Sequence, residues 1–315
     1  MIRRLGYACI ALGSTATTNR TCRLTNATPE RLRELIALNL GGLAEVLHYN
    51  TRLNIRFFRV SSMIVPFASH PINTIPWWEE FADELADIGR YAISQRMRLS
   101  MHPGQHTVLS SPRVEVVDAA IRDLVYHARF LGALGLNREH KIVVHAGGTY
   151  GDRAKAVDRF VEAFERLSGA TAERLVLEND ERSYSAEAVL GISARTGIPV
   201  VFDALHDRVL SSPGSADRPS LLAECFRTWH ASDGPPIVHF SSQDPGKQPG
   251  AHAEWIDPAE FLAFAQDTGP TWTDCMLEAK GKELALLRLR QALAPVATEA
   301  TLSADERLSA LAVQR

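Results

Sequence analysis

The chain has 315 residues, 45% of them hydrophobic, with 34 Lys and Arg against 37 Asp and Glu for a formal charge of −3. One large core is affordable, no run approaches the about 18 uninterrupted apolar residues of a membrane span, and any phosphate-binding footprint has to be local. Cys9, Cys22, Cys225 and Cys275 are too few and too scattered for a disulfide framework or a Cys-x-x-Cys site, and Met1-Ile2-Arg3-Arg4-Leu5 enters a strand without a signal-peptide core. A reducing cytoplasm is the expected compartment.

Residues 3–8 predict the first strand, followed by a long loop over about 9–28. Pro29 to Val46 places Leu32, Leu35, Ile36, Leu40 and Leu43 on one helical face, with Thr28 as N-cap and Pro29 at the first helical position. A strand near 55–60 and a loop over 61–76 lead to a helix whose buried stripe is Trp77, Phe81, Leu85 and Ile88. Next comes Arg98-Leu99-Ser100-Met101, running into His102, then a loop over 103–113 and a helix over 114–134. Lys141-Ile142-Val143-Val144 runs into His145, with a helix over 151–168; Arg174-Leu175-Val176-Leu177 runs into Glu178, with a helix over 184–196. Pro199-Val200-Val201-Phe202 runs into Asp203, with a helix over 217–231; Pro236-Ile237-Val238 runs into His239, with a helix over 257–267. Asp274-Cys275-Met276-Leu277 runs into Glu278 before a last helix over 280–294.

Near-continuous apolar runs rich in Val, Ile and Leu are strands buried on both faces, which belong to parallel sheets covered by helices. Eight strands alternating with eight helices predict an α/β fold, a (β/α)₈ TIM barrel over residues 1–294 with a peripheral tail over 295–315. One such barrel takes about 250 residues with room for insertions. The loops that follow strands 1, 2 and 3 are long, whereas the return Thr196-Gly197-Ile198 is short. Loops after the strands build the active face of this barrel.

Six strand ends therefore bring six potential metal ligands together: His102, His145, Glu178, Asp203, His239 and Glu278. A single such residue is as readily a hydrogen-bonded structural group, but gathering three carboxylates without a cation costs several kcal/mol, about the effective penalty per buried ion. His206, three residues after Asp203, and His252 in Gly250-Ala251-His252 enlarge the set beyond the needs of one ion. The donors imply a cluster of two or three divalent ions at the C-terminal face of the strands. Mixed imidazole and carboxylate ligation suits Mn²⁺, Zn²⁺ or Fe²⁺ better than Ca²⁺ or Mg²⁺. Closely spaced ions clamp the attacking and leaving oxygens of phosphoryl transfer, so phosphodiester hydrolysis is the first chemistry to consider.

The residues resemble the ultraviolet damage endonuclease family over roughly 3–294. The resemblance rests on the order of Leu5-Gly6-Tyr7, Thr17-Thr18-Asn19-Arg20-Thr21, Arg59-Val60-Ser61-Ser62, Pro66-Phe67-Ala68-Ser69-His70, Met101-His102-Pro103-Gly104-Gln105, Val144-His145-Ala146-Gly147-Gly148, Leu177-Glu178-Asn179-Asp180, Phe202-Asp203-Ala204-Leu205-His206, His239-Phe240-Ser241-Ser242 and Glu278-Ala279-Lys280-Gly281-Lys282. The family implies an enzyme that nicks duplex DNA immediately 5′ of ultraviolet photoproducts and leaves a 3′-hydroxyl, with a manganese-type cluster first in line. On its pattern Glu178 bridges two ions, His102 and His145 hold one, Asp203, His239 and Glu278 the other, and His206 and His252 a third. His70 and Lys282 lie near the scissile phosphate. Tyr7, Gln105, His106, Arg20 and Lys280 are expected to face damaged double-stranded DNA, and the chain is expected to act as a monomer, without a membrane and without ATP.

Three positions depart from that pattern. The loop after His102 carries Gln105-His106 where relatives carry Gln followed by Tyr or Phe, Cys9-Ile10-Ala11-Leu12 has no Asn, and Ile237 stands where some relatives have a metal-supporting Lys. The rival reading is a xylose-isomerase-like metal-dependent sugar isomerase or epimerase, which also gathers Glu, Asp and His at strand ends. It has no use for a second or third ion or for the Thr/Asn/Arg-rich loop at 14–23. A non-catalytic DNA-binding barrel leaves eight ligands unexplained. No Walker-type phosphate loop is present, which removes ATP-driven strand opening from this chain.

Overall fold

The computed structural model describes residues 1–210 and 217–299. Eight strands, β1 (Ile2–Ala8), β2 (Phe57–Val60), β3 (Arg98–Met101), β4 (Ile142–His145), β5 (Leu175–Glu178), β6 (Val200–Asp203), β7 (Ile237–Phe240) and β8 (Thr273–Leu277), pair in parallel in sequence order and close into a barrel between β1 and β8. The α/β TIM barrel expected from the strand-helix alternation is the fold.

The helices between them are α1 (Pro29–Arg52), α2 (Trp77–Glu80), α3 (Ala82–Ser94), α4 (Val114–Ala133), α5 (Arg153–Glu165), α6 (Gly169–Ala172), α7 (Ala186–Thr196), α8 (Ala204–Leu210), α9 (Arg218–Arg227), α10 (Pro258–Asp267) and α11 (Lys282–Glu299). Three crossovers carry two helices where the periodicity gives one: α2 and α3 part at Phe81, α6 follows α5 beyond the expected 151–168 helix, and α8 directly follows Asp203 ahead of the expected 217–231 helix, which is α9. Phe81 leaves helical geometry with φ −114° and ψ 28°, although Trp77, Leu85 and Ile88 remain buried as a stripe. The helix from Pro29 runs to Arg52 rather than Val46, because Leu47 and Asn50 continue the buried face and a polar Asn interrupts the apolar pattern that marks it. The last helix passes the expected boundary at 294 to reach Glu299, and residues 300–315 of the expected tail lie outside the described residues.

The N-terminus of α1 follows its sequence signals. Thr28 Oγ1 accepts the Arg31 N–H at 3.2 Å, and Pro29 takes the first turn. Leu32, Leu35, Ile36, Leu40, Leu43, Val46 and Leu47 are sealed against the barrel, each contributing about 1.5–3 kcal/mol by burial. Gly42 lets the long loop after β1 lie on this helix, since a Cβ there would collide with the Thr17 carbonyl oxygen.

Alternation along each strand sorts the barrel interior into layers. Phe57, Val143, Val176, Val201, Ile237 and Met276 form an apolar middle. Ile237, one of the three departures from the expected pattern, belongs to that layer and is 1% exposed. Beneath it lies an ionic floor. The fully buried Arg98 donates to Asp274 at 2.9 Å and to the carbonyls of Pro235, Asp233 and Glu139, while Lys141 donates to Asp233 at 2.6 Å and to the Glu173 carbonyl. Burial takes the Lys141 ammonium down to about 8. Each charge is paired and hydrogen-bonded, the condition under which buried ions persist. Above the middle layer, at the C-terminal ends of the strands, sit the predicted ligands.

Candidate metal centre

The six strand-end side chains meet over the barrel mouth. His145, Glu178 and Asp203 are the last residues of β4, β5 and β6, His239 is the penultimate residue of β7, and His102 and Glu278 directly follow β3 and β8. Register makes neighbours of them, His145 beside Glu178 and Asp203 beside His239.

Glu178, 1% exposed, stands at the centre. Its Oε2 is 3.1 Å from His102 Nε2 and 3.5 Å from His145 Nε2, and its Oε1 is 2.5 Å from His239 Nδ1 and 4.0 Å from His206 Nδ1. Ligand atoms of His102, His145 and Glu178 lie within 4.8 Å of one another, as do those of Glu178, Asp203 and His239. One carboxylate thus serves two donor groups, an oxygen to each.

Glu278 is drawn in by a cation that stands in the Arg59-Val60-Ser61-Ser62 motif. Arg59, buried at the end of β2, pairs with Glu278 Oε1 at 2.5 Å and approaches His239 Nε2 at 2.9 Å. Its signal was in the sequence: two residues beyond the inward Phe57, it has the same parity as the ligands. Asn179 is a second missed residue. It exchanges hydrogen bonds with the Asp203 backbone at 2.8 and 3.0 Å, locking β5 to β6, and its carbonyl lies 3.0 Å from His206 Nδ1. Asp203 in turn accepts the backbone N–H groups of Leu205 and His206, so it also starts α8 and thereby places His206.

The remaining two histidines stand to one side. His206 Nε2 is 3.7 Å from Glu181, His252 Nε2 is 3.7 Å from Glu278, and the two rings are 6.2 Å apart. A bridge between Gln243 and His252 returns the loop after β7 to this edge.

Electrostatics distribute protons unevenly. Burial, with help from Arg59 and His145, brings His102 down to about 4 and keeps its imidazole neutral, as a ligand must be. Burial raises Asp203, and the Glu178 and Glu278 carboxylates add to it. Burial opposes ionisation of Glu178 and Glu278, yet His239 and His145 hold Glu178 well below the usual carboxylate range, and Arg59 and His239 do the same for Glu278. Burial likewise opposes charging of His206, yet Asp203 and Glu178 push it up to about 9. Asp203 Oδ2 and His145 Nδ1 are buried without any hydrogen-bond partner. An orphaned Asp203 oxygen beside the Glu178 and Glu278 carboxylates fits a resident cation.

The other expected site residues divide. Tyr7, expected at the DNA face, is fully buried, and its hydroxyl donates to Asn50 Oδ1 on α1 at 2.7 Å. Its odd parity on β1 turns it outward to the helix layer, against Phe58, whereas Ala8 faces the barrel interior. Gln105 and His106 are exposed at the tip of the loop after β3, and Gln105 lines a cleft of about 260 Å³ with His145, Gly147, Glu181 and Arg182. Arg20 is half-buried and donates to the carbonyls of Thr17 and Leu38. Lys280 and Lys247 share Asp244, at 2.9 and 3.7 Å. Lys282 is half-buried with φ 50°, and its charge favours the Cys9 thiolate against the burial that raises that thiol. His70 is exposed and accepts the Ile72 N–H at 3.1 Å.

Residues 3–305 match the family model of UV-endonuclease UvdE. The chain belongs to this family. It is 37% identical to the UV DNA damage endonuclease of Clostridium perfringens, over 90% of this chain and 69% of that one, and 33% identical to the UV DNA damage endonuclease of Bacillus cereus strain G9842, over 94% and 96%. The crystal structure of SacUVDE superposes with a TM-score of 0.87 at 36% identity, covering 93% of this chain and 98% of that chain. Endonuclease IV of Thermus thermophilus, with a TM-score of 0.56 at 15% identity, and a D-psicose 3-epimerase of Clostridium cellulolyticum, with 0.52 at 13%, share the fold. No helix among the described residues is long and apolar enough to cross a membrane.

Proposed function

We propose that this UvdE-family chain is a metal-dependent DNA repair endonuclease that nicks duplex DNA immediately 5′ of ultraviolet photoproducts, using two or three divalent ions with Mn²⁺ first in line. The observation that carries the metal reading is the split carboxylate of Glu178, with Oε2 toward His102 and His145 and Oε1 toward His239. The substrate reading is supported by the family and by relatives named for ultraviolet DNA damage.

Ions held here would lower the pKa of a bound water and neutralise the two oxygens exchanged at phosphorus. The chain's own residues set the stage. Neutral His102 and ionised Glu178 and Glu278 are poised as ligands before any cation arrives. Arg59 holds Glu278 and His239 from the barrel side, which limits their swing. No covalent enzyme intermediate is part of the proposal. Gln105 and His106, at the loop tip above His145, would fill space vacated by extruded nucleotides, and extrusion is least costly where a lesion has already weakened stacking.

Supercoiled plasmid, irradiated or untreated, incubated with Mn²⁺ or with chelator, tests the whole reading. Nicking confined to irradiated plasmid with Mn²⁺ supports it. Equal nicking of both plasmids, or nicking that survives chelation, overturns it, and aldose–ketose interconversion would favour the isomerase.

A further inference from the structure

Two loops that carry exposed candidate residues of the active face are tied to one carboxylate that no catalytic role uses. Asp123, buried on α4, accepts the Thr107 hydroxyl at 2.6 Å with Oδ2 and the Ser69 hydroxyl at 2.8 Å with Oδ1. Thr107 ends a turn, closed by its own N–H to the Gly104 carbonyl at 2.9 Å, whose two central residues are Gln105 and His106. Ser69 precedes His70, in a turn closed by the His70 N–H to the Phe67 carbonyl at 2.9 Å. One turn of helix further on, Tyr126 donates to the Ser62 carbonyl at 2.9 Å and accepts the Val65 N–H at 3.4 Å, and Ser62 Oγ in turn donates to the His102 carbonyl at 2.7 Å.

We infer that Asp123 is a positioning residue for lesion recognition: it fixes the Gln105–His106 turn and the His70 turn to one rigid helix at a set separation. The inference rests on the reading of Gln105 and His106 as the residues that meet the lesion.

Both carboxylate oxygens are spent on hydroxyls from different loops. The nearest basic group, His127 Nδ1, is 3.8 Å from Oδ2, too far for a hydrogen bond, and lies 2.7 Å from the Asp123 carbonyl oxygen instead. Hydrogen bonds to a charged acceptor are the strong kind, and a loop held by one loses its preferred geometry when the acceptor goes. A probe that must enter a duplex gains affinity from being already in place, because the ordering cost has been met in folding. Without Asp123 the turn would still exist, since its backbone hydrogen bond is internal, but it would move against the cleft beside His145.

The test uses the Mn²⁺-loaded full chain and the variants Asp123→Ala, Asp123→Glu, Thr107→Val and Ser69→Ala. Nicking is followed on a duplex with one thymine dimer, amide exchange is read over 103–110 and 66–73, and bound metal is counted. In Asp123→Ala and Thr107→Val, exchange over 103–110 should quicken and KM for the damaged duplex should rise about tenfold, within the range a charge-assisted hydrogen bond spans. Bound metal should match the parent and kcat should fall less than threefold. Ser69→Ala should loosen 66–73 alone, and Asp123→Glu, which keeps both acceptors, should recover most of the KM. Unchanged exchange and KM in both Asp123→Ala and Thr107→Val would overturn the inference, as would a KM rise that tracks lost metal or a lowered Tm. If the parent fails to nick the damaged duplex, the functional reading fails, while the exchange data still decide whether Asp123 braces the turn.

Discussion

Glu178→Gln is the most demanding perturbation of the candidate metal centre, because one side chain is shared by both donor groups. The amide keeps the volume and one acceptor but removes a unit of charge. At an effective dielectric of about 20, a unit charge and a divalent ion about 4 Å apart attract by about 8 kcal/mol. If the amide dipole recovers about three quarters of that, about 2 kcal/mol is lost at each ion, which is roughly thirtyfold in affinity per ion and about a thousandfold for two. The metal-free protein should barely notice. Loss of charge weakens the contacts with His239 at 2.5 Å and His102 at 3.1 Å but also relieves repulsion from buried Asp203 and Glu278, so the net change should stay within about 1 kcal/mol. Mn²⁺ titration by calorimetry, nicking of irradiated plasmid and urea unfolding in chelator read the three quantities separately. Parent-like Mn²⁺ affinity with parent-like nicking would refute the bridging role of Glu178, and a large loss of stability in chelator would show that the carboxylate serves the fold instead.

Further outcomes follow from other parts of the molecule. Replacing Gln105 and His106 together by Ala should erase the preference for damaged over intact duplex in competitive nicking while bound metal stays at the parent level, and His106→Tyr should sharpen it, because base stacking contributes about 1–3 kcal/mol and imidazole gives the lower part; unaltered discrimination in both would remove this turn from recognition. On the barrel floor, Asp274→Ala strands Arg98 and Arg4, each 2.9 Å from its carboxylate, and should cost about 3–5 kcal/mol in chemical unfolding, whereas a change under about 1 kcal/mol would mean that the backbone carbonyls alone satisfy Arg98. His140 gives a pH signature. Burial, with Arg98 and Arg174, takes it down to about 3, and its Nδ1 accepts the Leu99 N–H at 2.9 Å. The unfolded chain therefore takes up this proton first as pH falls, so the contribution is complete above about 6.5 and is lost between about 6.5 and 3, at up to about 1.4 kcal/mol per pH unit. His140→Gln should flatten the unfolding profile in that window, and an unchanged slope would deny His140 the effect.

The barrel was legible because its determinants are local and repeated. Apolar runs such as Ile142–Val144 and Val200–Phe202, each with a helix behind it, allow few topologies, and parallel pairing with right-handed crossovers leaves the closed barrel. The convergence of the candidate ligands was legible for the same reason, since strands of a parallel barrel all end at one face and His102, His145, Glu178, Asp203, His239 and Glu278 sit at those ends. Parity decided what a motif alone did not: Tyr7 lies in a quoted motif but faces the helices, and Arg59 lies in another and faces the ligands. Contacts across the fold were beyond local pattern. Sequence spacing says nothing of the 2.5 Å approach of Arg59 to Glu278, of Asp244 lying between Lys247 and Lys280, or of Asp123 reaching Ser69 and Thr107. Side-chain type and period are properties of a residue and its near neighbours, whereas distance and burial are set only when all eight strands have closed, and so the elements and their ligands were written in the chain while the division of Glu178 between two histidine groups was decided by the closed barrel.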